Sequence, residues 1–191
     1  MKPQLQTNNR LKGLKFYLAG PINKQKFAEC VNWRSEMSRF LWSRGAGVLN
    51  PLDKPVEHHE DESFQDKLLQ LKQEEKYDEL TEIMRPIVTI DLHLVDLSSA
   101  VILYIDKDCH LCGSYAEMTY TCLERKPLIV VIKQGKKQTP AWLFGHAKHE
   151  LFFNDFTAAK EYLEHIDNDE VIDTLNHRWK FLNSNKIYGL E

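Results

Sequence analysis

The chain has 191 residues, 42% of them hydrophobic and 28% charged, with nine Phe, seven Tyr and four Trp. That composition sustains a buried core and excludes wholesale disorder, and at roughly 150 residues per domain the length allows one domain with decorations. Lys plus Arg number 25 against 28 Asp plus Glu, a net charge of -3, which offers no basic footprint for nucleic acid or anionic lipid and makes a small molecule the expected partner.

The charge is uneven. Residues 57–85 carry ten acids and four bases, net -6, leaving +3 for the rest of the chain. Residues 1–13 are polar, without the apolar run of a signal peptide, and no stretch of 18 apolar residues exists for a membrane span. The expectation is a cytoplasmic protein whose Cys30, Cys109, Cys112 and Cys122 are reduced thiols.

In chain order, a flexible segment over residues 1–14 precedes a first buried strand at 16–19, closed by Gly20 and Pro21. Residues 26–44 place Phe27, Val31, Met37, Phe40 and Leu41 at helical spacings, with Gly45 as the C-terminal cap. Val48 and Leu49 form a second strand that exits at Asn50 and Pro51. The acidic insertion, about 54–85, carries Phe64, Leu68, Leu71, Leu80, Ile83 and Met84 and reads as one or two amphipathic helices. These present a solvated face, a substrate lid or an oligomer surface. Pro86 suits the first turn of a further helix through Leu97, and residues 100–105 form a third strand. A helix over 114–125, a strand over 127–132, a weaker strand over 151–153, a helix capped by Asp155 through Ile166 and a helix over 169–181 complete the chain.

Strands alternating with helices require parallel neighbours joined by right-handed crossovers. The predicted fold is α/β, a doubly wound, flavodoxin-like parallel sheet of five strands with helices on both faces. It spans residues 15–166, with 167–191 as a helical extension. Ligands of such sheets bind beyond the carboxyl ends of the strands, where strand order switches. The loops after Ala19, Leu49 and Ile105 are therefore the places to look for chemistry.

Two carboxylates draw attention there. At 100° per residue, Asp91 falls beside Ile87, Leu94 and Val95, inside the apolar stripe of its helix, whereas Asp96 falls opposite. A carboxylate aimed at a core is costly unless paired, so Asp91 is either a helix-to-loop hydrogen-bond partner or a site residue. Glu117 closes a Ser114-x-x-Glu117 pattern that fits a capping box at a helix start. It would also lie in the first helical turn after the third strand, where the helix dipole favours an ionised carboxylate fit to be a nucleophile.

Phe16-Tyr17-Leu18-Ala19-Gly20-Pro21, Asn50-Pro51-Leu52, Asp91-Leu92 and Gly113-Ser114-Tyr115-Ala116-Glu117-Met118, followed by Lys126-Pro127-Leu128-Ile129, together resemble the nucleoside 2-deoxyribosyltransferase family. Close relatives of that family are N-glycosidases of deoxynucleoside monophosphates. The 26-residue separation of Asp91 from Glu117 matches as well, and the similarity runs over residues 15–132.

The resemblance implies that Glu117 attacks C1′ of the deoxyribose, that Asp91 supplies a proton to the departing base and that Tyr17 orients Glu117. It further implies a substrate site around Ala19, Gly20, Pro21, Ile22, Asn50, Pro51, Gly113 and Ser114. Sites completed by a neighbouring subunit of a homo-oligomer are implied too, with no cofactor. The partners would be a deoxynucleoside or deoxynucleotide and a free nucleobase. This chemistry is coherent in itself, because a nitrogen leaving group needs protonation and an oxocarbenium-like centre needs a nearby carboxylate.

The chain departs from the family at two places. The acidic residue that transferases carry six positions before the nucleophile is Leu111 here, with Asp106 and Asp108 as nearby candidates for the sugar. The Ser and Arg with which the nucleotide hydrolases hold a 5′-phosphate are replaced by Pro21-Ile22-Asn23-Lys24, where Lys24 or Lys26 could serve as a point charge.

Other signals are weaker. Cys109-His110-Leu111-Cys112 has no second C-x2-C to complete a zinc site, and His58-His59-Glu60-Asp61 could reach it only by folding over. His146 and His149 read as surface or packing residues. Without G-x-G-x-x-G after the first strand, a nicotinamide enzyme is disfavoured. The tryptophans read as core or interface residues and form no stacking platform for nucleic acid. Transfer of deoxyribose between bases is the leading expectation. Hydrolysis of a deoxynucleoside monophosphate and a non-catalytic nucleotide-binding module are the alternatives.

Overall fold

The computed structural model describes residues 9–22, 27–53, 62–168 and 178–179. Its elements in order are β1 (Lys15–Ala19), α1 (Phe27–Ser43), β2 (Gly47–Leu49), α2 (Glu62–Gln73), α3 (Tyr77–Leu97), β3 (Ala100–Ile105), α4 (Cys112–Leu123), β4 (Leu128–Ile132), β5 (Phe152–Phe153) and α5 (Phe156–Asp167). A short 3-10 turn, Pro51–Asp53, follows β2, and three more lie between β4 and β5. The five strands form one sheet in the order β2-β1-β3-β4-β5, and every pairing is parallel. This is the expected flavodoxin-like α/β arrangement, with its switch in strand order between β1 and β3.

Side-chain alternation along the strands divides the core in two. Phe16, Leu18, Ile102 and Val131 pack with Met37 and Leu41 of α1 and Leu163 and Ile166 of α5. Tyr17, Ala19, Val101, Leu103 and Val130 face the other way, against Val95 of α3 and Met118 of α4. Burial of β4 along its whole length explains its unbroken Leu-Ile-Val-Val-Ile run. Gly45, at φ 71°, ends α1 in the left-handed conformation expected of it, and Asp155 caps α5 by accepting from the Ala158 amide.

Two expectations about helices are corrected. Pro86 does not begin a helix but lies inside α3, which runs unbroken from the acidic segment to Leu97. A proline there removes one backbone donor. Burial of Ile87 and Val95 on the same helix offsets that loss. The helix expected to start at Ser114 starts at Cys112, with Leu111 as its N-cap and no side-chain cap. Ser114 and Glu117 are therefore its third and sixth residues, and both are buried. The capping box does not form, and Glu117 sits three residues beyond the last free amide of the helix start, that of Ser114.

The phosphate-loop lysines Lys24 and Lys26, the segment His58-His59-Glu60-Asp61 and the expected helix over 169–181, apart from Arg178 and Trp179, lie outside the described residues. Trp179 is buried beside Phe16 and donates from Nε1 to the Tyr162 hydroxyl over 3.0 Å. No helix among the described residues is long and apolar enough to cross a membrane.

Candidate active site

Strand β1 points its odd-numbered side chains toward α3 and α4, and this parity alone carries Tyr17 to the face where both carboxylates lie. Its hydroxyl donates to Glu117 Oε1 over 2.6 Å, in a buried setting. Glu117 itself is only 8% exposed. Asp91 is half-buried on α3, and its charge acts on the same hydroxyl. The structure thus brings Tyr17, Glu117 and Asp91 together from three elements at the β1/β3 switch point.

Burial pushes the Tyr17 hydroxyl well above the usual tyrosine range, and the charges of Glu117 and Asp91 push it further, with Arg34 acting in the opposite direction. Tyr17 is therefore a proton donor throughout the neutral range and holds one oxygen of Glu117 in a fixed direction. A short, buried hydrogen bond to a carboxylate is of the charge-assisted kind.

The remaining candidate residues fall into two groups. Ala19 and Pro21 are buried and Ile22 half-buried at the exit of β1. A Cβ added to Gly20 would lie 3.1 Å from both the Trp33 ring and the Tyr104 carbonyl oxygen, a tight fit that would require these neighbours to give by a few tenths of an ångström. Gly113, in the first turn of α4, is exposed, and a Cβ there would meet nothing within 4 Å. Buried Ser114 lies next to it.

Asn50, Asp106 and Asp108 are engaged in their own loops. Asn50 accepts from the Leu52 amide and donates to Asp53, which shapes the 3-10 turn begun by buried Pro51. Asp106 is buried and accepts from Lys133 over 3.1 Å, from Gln134 over 2.7 Å and from the Asp108 amide over 3.1 Å. Asp108 also accepts from Gln134. The ends of β3 and β4 are tied together this way, and Lys133 extends the tie to Glu29 of α1 over 2.6 Å.

Among the described residues no group of three or more His, Cys, Asp or Glu could hold a metal ion. Cys109 and Cys112 are not joined in a disulfide. His146 is half-buried within 3.3 Å of the Thr119 hydroxyl, while His149 is exposed.

One buried charge at the exit of β1 is not singled out by the sequence motifs. Arg34 of α1 is 1% exposed, and it donates to the carbonyls of Leu18, Cys30 and Gly20 over 3.3, 3.0 and 2.8 Å. Its signal was of the kind that singled out Asp91, a charge within the helical stripe of Cys30, Met37 and Leu41.

No family model matches the chain, and no curated protein matches it in sequence. Among solved structures it is similar to a 2-deoxyribosyltransferase from Bacillus psychrosaccharolyticus, with 17% identity and a TM-score of 0.52 over 78% of this chain and 91% of that one. It is also similar to a 2-desoxiribosyltransferase from Leishmania mexicana, with 15% identity and a TM-score of 0.50 over 80% and 97%. The chain shares the fold of these two proteins.

Proposed function

We propose that the chain is an enzyme that cleaves the N-glycosidic bond of 2′-deoxynucleosides and transfers the sugar to another nucleobase. The observation that carries this reading is the 2.6 Å hydrogen bond from Tyr17 to Glu117 at the carboxyl edge of the sheet, with Asp91 close enough for its charge to act there. The two similar solved structures are supporting context, since fold alone does not fix function.

In this mechanism Glu117 attacks C1′ as the base departs and forms a glycosyl ester, while Asp91 delivers a proton to the leaving nitrogen. Two carboxylates with different surroundings can divide these roles, one ionised and one protonated. Tyr17 holds one Glu117 oxygen so that the other keeps its direction toward C1′, which is orientation supplied before the reaction starts. A second base entering the emptied space attacks the ester, and Asp91 takes its proton. The substrate would lie over Ala19, Gly20, Pro21 and Ile22, with its approach to Glu117 opened by Gly113.

Incubation with one deoxynucleoside and a different free base tests the reading. Exchange that disappears in Glu117→Ala is the expected result, and intact mass should show the wild-type chain heavier by one deoxyribosyl group. Base release without exchange would assign the chain to hydrolysis, and undiminished turnover by Glu117→Ala would remove Glu117 from the chemistry.

A further inference from the structure

In a parallel pair, alternate carbonyls of a strand face opposite neighbours. The Lys15 carbonyl accepts from Ser99, just before β3, and the Leu14 carbonyl accepts from Gly47 of β2. Odd carbonyls of β1 therefore face β3 and even ones face β2. The register pairs Lys15, Phe16 and Tyr17 with Gly47, Val48 and Leu49. Going up the β2 side two residues at a time, the donors are Gly47, Leu49 and then position 51. Position 51 is Pro51, which has no N–H. The Leu18 carbonyl, and Gly20 after it, face an edge where strand β2 has stopped and the next backbone donor does not exist.

Buried carbonyls require partners. Arg34 supplies them: Nε donates to Leu18 and Nη2 to Gly20, while Nη1 donates to Cys30 on its own helix. Its guanidinium also lies 4.5 Å from the centroid of the Trp33 ring, and Trp33 in turn confines Gly20. The planar fork suits this task, since three donors with fixed directions can meet three carbonyls at once.

We propose that Arg34 is a positioning residue for the Tyr17–Glu117 pair, its guanidinium replacing the strand donors that end at Pro51 and so fixing the exit of β1. The proposal rests on the deoxyribosyl-transfer reading and deepens it. Tyr17 immediately precedes Leu18, and the turn from Ala19 to Ile22 would form the floor of the substrate site. Both would depend on a strand end that has no neighbour of its own on the β2 side.

The test compares the wild-type chain with Arg34→Lys, which keeps the charge but loses the fork. Three readouts are needed: steady-state exchange kinetics, the rate and amplitude of glycosyl-enzyme formation by intact mass, and hydrogen exchange of residues 17–22. The expected result is a kcat lower by about 100-fold, the scale of a misplacement near 1 Å. KM should rise by less than kcat falls, by up to about tenfold, because the loosened turn also forms the floor of the substrate site. The glycosyl-enzyme should reach full amplitude slowly, and exchange should quicken at residues 19–22 but not in β3 or β4.

Wild-type kinetics in Arg34→Lys would overturn the proposal. So would reduced amplitude at an unchanged rate, which marks a loss of folded protein only. Arg34→Gln, which keeps amide donors, takes its place if Lys leaves too little folded chain. If the wild type forms no glycosyl-enzyme, the functional reading fails and hydrogen exchange decides for Arg34. Faster exchange confined to residues 19–22 supports the positioning role, and unchanged or global exchange refutes it.

Discussion

Tyr17 and Glu117 are 100 positions apart in the chain and 2.6 Å apart in the fold, joined by a buried hydroxyl-to-carboxylate hydrogen bond. Tyr17→Phe removes only the hydroxyl and keeps the ring in its apolar surroundings. We expect kcat to fall by about 10- to 100-fold, corresponding to about 1.4–2.8 kcal/mol of lost transition-state stabilisation. Stability should fall by about 1–3 kcal/mol, because Glu117 loses a buried donor. Exchange kinetics and urea unfolding measure the two effects, and an unchanged kcat would reduce the hydrogen bond to a structural contact.

The pH dependence of stability follows from the same hydroxyl. Desolvation raises Tyr17 well above the ordinary value, reinforced by the charge of Glu117, and desolvation likewise raises Tyr104 to about 12. In the unfolded chain both ionise near 10. A folded pKa above the unfolded one gives stability that is fully present below about pH 10 and lost as the pH rises through the folded value. Urea midpoints between pH 9 and 12 should drop more steeply for the wild type than for Tyr17→Phe. Parallel curves would show that Tyr17 is not so perturbed.

Gly20 and Gly113 should behave oppositely when changed to alanine. At Gly20 the new methyl meets the Tyr104 backbone oxygen and the Trp33 ring at 3.1 Å, so Gly20→Ala should cost about 1–3 kcal/mol and disturb the turn below Tyr17. Gly113 is helical with nothing within 4 Å. Gly113→Ala should therefore stabilise the chain by about 0.5–1 kcal/mol. A raised KM in that more stable variant would mark the open space as substrate space. An unchanged KM would take Gly113 out of the site.

Lys133 bridges Glu29 and buried Asp106, and the hydrogen bonds to these two partners hold its ammonium pKa above the usual lysine range. Lys133→Met leaves the Asp106 carboxylate without its cation, though Gln134 and the Asp108 amide still donate to it. The expected loss is about 1–3 kcal/mol by chemical denaturation, the scale of a buried group that loses one partner. Combining it with Asp106→Asn should recover part of that loss. Additive losses would show that the pair is not coupled.

Much of the architecture was legible because period and punctuation are local properties. The apolar run at residues 100–105 coincides with β3, and the Gly45 and Asp155 signals correctly end α1 and begin α5. Pro86 misled because the rule against proline inside helices is a preference, which burial along the rest of α3 overrides. The Ser114-x-x-Glu117 pattern misled because capping depends on where the helix starts, two residues earlier at Cys112.

The sequence by itself determined the parallel α/β order and the placement of Asp91 within an apolar stripe, since both follow from spacing along one segment. It could not decide where Glu117 points, what Asp106 holds or why an arginine is buried in α1, because those depend on groups far apart in the chain. Tertiary structure decided them through the parity of β1, the point at which β2 stops and the donors left over at that edge. Hydrogen bonds are short-ranged and directional, so which polar groups find one another is settled only when the sheet has closed around them.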